Sequence, residues 1–264
     1  MKIIEKFTRS KTGLEKDNED CIFISEDFAV VVDGITSKTK SLKSETDGRF
    51  VAKFVCDCFS QISADLTPYE ILKELTSRLR KALIEQNRNS ESAGCSIVAY
   101  NALRRELFSY GDCHYAIDNK SVKPQKESDI QLSKHRSSII KQLLSQGKTV
   151  DEIQKNDIGR NAILDGLIEA SKLANCKCEN GYAVLNGTDV IEEFIQTVKI
   201  EQGQMIILSS DGYPDLFPTL EQSEENLLNL IKKDPLCIDE LIGTKGVAYG
   251  NESYDDRSYV RLKA

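Results

Sequence analysis

The chain has 264 residues, with 35 Lys and Arg against 42 Asp and Glu, a formal net charge of −7. Apolar residues make up 40% and charged residues 29%, a globular composition rather than a disordered one. An acidic protein repels phosphate backbones unless it gathers a basic patch, so general nucleic-acid binding is not expected. No apolar run approaches the roughly 18–20 residues that cross a bilayer. Residues 1–10 show neither the apolar stretch nor the cleavage pattern of a secretory signal, so the expectation is a cytoplasmic protein with no membrane partner. The eight cysteines agree, because most stand beside apolar residues, where a reduced thiol packs as a small hydrophobe. Cys56/Cys58 and Cys176/Cys178 are C-x-C pairs, not the wider spacing of zinc sites, and the chain has two His. Reduced packing cysteines are expected throughout.

In chain order, residues 21–25 and 28–33 are apolar, β-branched runs around Glu26 and Asp27, which predicts a hairpin whose second strand ends on Asp33-Gly34. The period then becomes 3.6: Phe50, Val51, Phe54, Val55, Cys58, Phe59 and Ile62 share one helical face. A second helix opens at Thr67-Pro68-Tyr69-Glu70, a capping box with Pro at its first position. Strands return over 95–100, 106–110 and 113–117, while the polar, lysine-rich stretch 118–134 reads as a loop. Helices follow over 135–146, from a cap at Thr149 to Glu152, and over roughly 160–174. Residues 182–185 and 194–200 read as strands, and 204–211 is a strand ending on a second Asp-Gly, Asp211-Gly212. A helix near 221–233 and a strand over 258–262 close the chain. No repeat or linker interrupts it, so residues 1–264 read as a single domain. Clustered strands with two long helices inserted together make an α+β pattern, not a β-α-β alternation.

Four acidic groups fall at strand ends or tight turns: Asn18-Glu19-Asp20, Asp33-Gly34, Asp211-Gly212 and Asp255-Asp256. Asp-Gly at a strand end is often just a turn. Several partly desolvated aspartates brought together, however, repel each other and raise each other's pKa, and a hard divalent cation resolves that conflict with oxygen ligands. The glycine after each Asp permits a tight turn and leaves a carbonyl exposed as a further ligand.

The series Asn18-Glu19-Asp20, Asp33-Gly34, Gly94-Cys95-Ser96, Gly111-Asp112, Ser209-Ser210-Asp211-Gly212 and Asp255-Asp256 resembles the metal-dependent serine/threonine protein phosphatases of type 2C. The likeness runs collinearly over nearly the whole chain. Residues 207–217 are its most diagnostic piece, and about 135–180 resembles the flap of the bacterial branch. The resemblance implies a four-layer α/β/β/α sandwich of two antiparallel sheets flanked by helices. It implies two Mg²⁺ or Mn²⁺ ions, and a weaker third, in a cleft at the sheet edges. Asp33 is then a ligand to both ions, with the Gly34 carbonyl on one and Asp211 and Asp256 on the other. Glu19 acts on the second ion, Asp20 orients the reacting water, and Asp112 serves the third ion. The implied activity is hydrolysis of phosphoserine and phosphothreonine in a phosphorylated protein substrate. Two metals accelerate such a reaction without any protein nucleophile.

The chain departs from that pattern where phosphate is bound. The arginine that the family carries three residues before Asn18 is Glu15, so another cation must substitute: Arg9, Lys11, Lys16 and Lys38 are the candidates. Asp33-Gly34 is followed by Ile35-Thr36-Ser37 in place of further glycines, and Gly111-Asp112 by Cys113-His114. Two alternatives therefore stand beside the enzyme: an inactive module of the same fold that binds metal or a phosphorylated partner, and a hydrolase of small phosphate esters. His114 reads as a packing histidine and His135 as a surface or flap residue. A Cys/His nucleophile around Cys95 or Cys113 is disfavoured, since neither forms a nucleophile elbow.

Overall fold

The computed structural model describes residues 1–36 and 45–264. Its strands are β1 (Lys2–Arg9), β2 (Asp20–Ile24), β3 (Phe28–Gly34), β4 (Cys95–Asn101), β5 (Glu106–Tyr110), β6 (His114–Ile117), β7 (Lys120–Val122), β8 (Gln196–Lys199), β9 (Met205–Ser209) and β10 (Arg257–Lys263). Its helices are α1 (Asp47–Cys58), α2 (Pro68–Glu85), α3 (Glu127–Ser145), α4 (Val150–Lys155), α5 (Ile158–Ala162), α6 (Leu164–Ser171) and α7 (Leu220–Lys233). Two five-stranded sheets result, in the orders β1-β10-β9-β6-β7 and β2-β3-β4-β5-β8. Every pairing named for them is antiparallel.

The layering follows from the two-residue period of a strand, which sends successive side chains to opposite faces. In β3, Val30 and Val32 join the cluster formed with Val51, Val55, Leu72 and Leu79 of α1 and α2. Ala29 and Val31, one step out of phase, join Val98, Tyr100, Leu208, Val260 and Leu262 between the sheets. Ile207 and Tyr259, on the far face of the other sheet, meet Leu227 of α7. Helix, sheet, sheet and helix are thereby stacked, and β3 is apolar without interruption because both its faces are covered. The Thr67 capping box and Pro68 start α2 as the sequence predicts.

Several elements differ from the sequence expectation. β1 was not anticipated; it is an edge strand, paired only with β10 among the described strands, and its partly exposed side chains dilute the alternation. The stretch read as a loop, 118–134, holds β7 and the first turns of α3. The helix expected over 160–174 is two, α5 and α6, meeting at Ile163. Residues 182–185 contribute two isolated bridges, Tyr182 to Ala174 and Leu185 to Cys95, rather than a strand. Cys176 and Cys178 form a disulfide, against the expectation that all cysteines are reduced. Among the described residues no helix is long and apolar enough to cross a membrane.

Candidate active site

The sheet register brings the acidic groups to one edge. Asp20 at the start of β2 stands opposite Asp33 near the end of β3, and Asp33 in turn stands opposite Ser96 of β4. Asp112 lies in the turn between β5 and β6. Asp211 follows β9 by two residues, and Asp255 precedes β10 by two. Because β9 and β10 are antiparallel neighbours, the end of one and the start of the other share an edge. A cleft of about 530 Å³ opens there, lined by Asp33, Gly34, Asp112, Asp211 and Asp255 and, from the helical side, by Lys126, Arg160 and Lys245. The backbone N–H of Asp211 faces Oδ2 of Asp33 at 3.5 Å. Gly34 is packed so closely that a Cβ would stand 2.3 Å from the Gly48 carbonyl oxygen and 2.6 Å from that of Glu19, so the chain turns away from Asp33 without room for a side chain.

The acids fall into two groups. Burial, then the charges of Asp211 and Asp20, push the Asp33 carboxyl well above the usual carboxylate range. Burial, then Asp255 and Asp112, push Asp211 up to about 7. Burial also raises Asp20, against the opposing hydrogen bond that Ser210 donates to its Oδ2 at 2.6 Å. The other oxygen of Asp20, Oδ1, is buried without a partner among the described residues. None of these three has an ion-pair partner among the described residues. Asp112 and Asp255 behave oppositely. Burial alone would raise Asp112, but Lys126 at 2.6 Å and the Ser96 hydroxyl outweigh it and hold the carboxyl down to about 2. Asp255 is likewise lowered in spite of burial, by Lys245 at 2.6 Å and Lys11 at 3.6 Å.

Asp20, Asp33 and Asp211 thus place oxygen donors, whose ionisation no ion-pair partner among the described residues offsets, at a partly desolvated edge, and that donor set fits a hard divalent cation in kind. Among the described residues, no three His, Cys, Asp or Glu side chains stand ready-made at coordinating spacing.

Other expected site residues take different places. Asp256 does not line the cleft: its Oδ1 accepts the Lys11 N–H at 2.7 Å and its Oδ2 the Glu19 N–H at 2.9 Å. The acid of that pair which faces the cleft is Asp255, and the expectation is corrected accordingly. The two are adjacent just before β10, and the backbone N–H groups of Lys11 and Glu19 hold Asp256 while Lys245 holds Asp255 at the cleft. Glu19 is buried behind the edge, bonded to Thr36 Oγ1 at 2.6 Å and Lys11 Nζ at 3.1 Å. Lys11 is therefore spent on Glu19, Asp255 and Asp256 and is not a cleft residue. Lys16 is exposed on the turn 15–17, away from the cleft, and Lys38 lies outside the described residues. Arg9 is committed to Glu252 through two hydrogen bonds. His114 is buried with Nδ1 3.1 Å from the Tyr213 carbonyl oxygen, and burial lowers its pKa; His135 is exposed. Lys126 and Lys245 were not anticipated. Lys126 stands at the end of a polar tract and Lys245 has only a small-residue context, so neither sequence position signals a buried ion pair.

No protein-family model and no curated protein matches the sequence. Solved structures do match in fold. The catalytic domain of the serine/threonine protein phosphatase PstP, in complex with 2 manganese ions, is 15% identical with a TM-score of 0.50, over 99% of this chain and 98% of that one. The Mycobacterium tuberculosis phosphatase PstP/Ppp is 14% identical with a TM-score of 0.51 over the same shares. The Mycobacterium smegmatis phosphatase MsPP, in complex with cacodylate, is 13% identical with a TM-score of 0.50 over 100% of this chain and 99% of that one. The chain has the fold of these bacterial PPM-type Ser/Thr phosphatases along its whole length.

Proposed function

We propose that this protein is a divalent-metal-dependent phosphatase that hydrolyses phosphoserine and phosphothreonine in proteins. One observation carries the reading. Asp33 and Asp211 from different sheets meet at the edge of a PPM-type fold, raised in pKa by each other's neighbourhood and unpaired among the described residues. Asp33, the Gly34 carbonyl, Asp211 and Asp255 are the groups that would hold Mg²⁺ or Mn²⁺. When bound, such ions supply a water of lowered pKa and neutralise phosphoryl oxygens. Asp20, beside Asp33 in the register and with an Oδ1 that has no partner among the described residues, is the acceptor that orients a water. Glu19 and Asp256 brace the edge through Lys11 and the backbone. The substrate partner is a phosphorylated protein, and the working compartment is the cytoplasm.

A second reading is a weakened module that binds metal or a phosphorylated partner without turnover. It is favoured by the lysines already seated on Asp112, Asp255 and Glu19, which remove negative charge from the site. Hydrolysis of p-nitrophenyl phosphate and of a phosphoserine peptide with Mn²⁺, with and without chelator, separates the two. Chelator-sensitive turnover of the peptide supports the enzyme. Stabilisation by Mn²⁺ with no turnover of either ester supports the module.

A further inference from the structure

A phosphate monoester entering an edge built of aspartates needs a cation, and position 15, where the resembling family carries arginine, is Glu15. The neighbouring Arg49 does not replace it. Its Nη1 donates to the Glu15 and Asn18 carbonyls at 2.7 and 2.6 Å, and its Nε lies 3.5 Å from Glu45. Among the described residues, four cationic side chains line the cleft: Lys126, Arg160, Lys172 and Lys245. Lys126 is held by Asp112, Lys245 by Asp255 and Lys172 by Glu169, each at 2.6 Å. Arg160 has no carboxylate at ion-pair distance among the described residues.

The guanidinium of Arg160 is also aimed. Its Nη1 donates to the Thr244 carbonyl at 3.0 Å, beside the lysine that holds Asp255. Asp157, three residues earlier, caps the Arg160 backbone N–H and turns its carboxylate onto Arg136 at 2.6 Å, so it reaches the Arg160 guanidinium only through longer-range charge. Among the described residues, Nε and Nη2 of Arg160 have no hydrogen-bond partner, and the side chain lines the cleft. A guanidinium offers paired, planar donors that match two phosphoryl oxygens, and it stays charged at any working pH.

We propose that Arg160 is the phosphate-binding residue of this site, supplying from α5 the cation that position 15 lacks. The proposal rests on the phosphatase reading for its substrate, but not for its test. Binding of inorganic phosphate to the Mn²⁺-loaded protein is measured by calorimetry for wild type, Arg160→Gln, Arg160→Lys and Lys172→Gln, with melting temperatures to verify folding. KM and kcat for a phosphoserine peptide are measured alongside. Arg160→Gln should weaken phosphate about 10- to 100-fold, the range for losing charged hydrogen bonds. It should raise KM in step, while Arg160→Lys recovers part of the loss and Lys172→Gln changes little. Unchanged phosphate affinity in a folded Arg160→Gln protein overturns the proposal, as does a wild type that binds no phosphate. If wild type binds phosphate through Arg160 yet hydrolyses no peptide, the enzyme reading fails and the binding assignment stands.

Discussion

Asp211 presents its backbone N–H to Oδ2 of Asp33 at 3.5 Å although 178 residues separate them. The contact joins the end of β3 in one sheet to the turn that follows β9 in the other, so the site depends on how the sheets are stacked. Asp211→Asn keeps the shape and this N–H but deletes one of the uncompensated charges. Outer-layer partners of metal ligands are worth about 10–100-fold in affinity or activity, so removing a ligand charge should cost at least that in Mn²⁺-dependent turnover. Calorimetric Mn²⁺ binding should weaken with it. Full activity in Asp211→Asn would overturn the assignment.

The raised pKa values set a pH dependence of stability. The Asp211 carboxyl goes from an ordinary 3.8 to about 7 on folding. Between those values the folded state holds more protons than the unfolded, so this group's contribution to stability is present at low pH and is lost as pH rises toward 7. Asp33 and Asp20 act with the same sign. His114, lowered by burial, acts with the opposite sign, which is why the comparison is made against a variant. In chelator, Asp211→Asn should gain on wild type in melting temperature as pH goes from 5 to 7.5. Added Mn²⁺ should stabilise wild type more at pH 7.5 than at 5.5, because protons compete with the ion for the same oxygens. Parallel melting curves for the two proteins would remove the basis for this claim.

The parts of this site that could be read in advance are those where local pattern and three-dimensional role coincide. Asp33 and Asp211 each close an apolar strand with Asp-Gly, and a strand end is where a sheet edge forms. The two-sided burial of β3 was written in its unbroken Phe28–Val32 run. Asp255 against Asp256 was not decidable, because the two share every local property and only their partners in the folded chain, Lys245 for one and the Lys11 and Glu19 N–H groups for the other, separate them. Lys126 and Lys245 gain their meaning from acids distant in sequence, and a polar or small-residue context gives no sign of such a partner. β1 was hidden for a related reason: an edge strand with half-exposed side chains lacks the apolar density that marked β3 and β4.

The proposed chemistry assigns no role to the buried thiols of Cys95 and Cys113. Cys95 and Cys113 are fully buried, and burial, reinforced by the Asp33 charge, pushes both thiols well above their ordinary range. Neither supplies thiolate at neutral pH. Cys95→Ser and Cys113→Ser should each keep most of the metal-dependent turnover. Each should cost about 1–3 kcal/mol of stability if the new hydroxyl finds no partner. Iodoacetamide should leave the metal-dependent turnover of the native protein intact. Loss of turnover in a variant that still melts cooperatively near wild type would point to thiol chemistry instead.

The positioning of Arg160 gives the last prediction. Arg136 on α3 is completely buried and joins three segments. Its Nη2 and Nε bond Asp157 at 2.6 and 3.0 Å, and its Nη1 reaches the carbonyls of Leu236, Cys237 and Gly243 at 2.9, 3.3 and 3.1 Å. Asp157 caps α5, and the 236–246 segment carries Thr244, the carbonyl anchor of Arg160. Truncating one member of a buried charge pair leaves the rest uncompensated and costs about 3–5 kcal/mol. Asp157 is only partly buried, so water relieves some of this and the lower end applies to Arg136→Met. Urea unfolding should show that loss, with hydrogen exchange rising first over 157–162 and 236–246. Phosphate affinity should fall as in Arg160→Gln, because the guanidinium loses its anchor. Arg136→Lys keeps the charge but not the fork, and should restore less than half of the stability, since one ammonium cannot serve Asp157 and three carbonyls together. A Met variant as stable as wild type, with unchanged phosphate binding, would show that α5 and the 236–246 segment are held without Arg136.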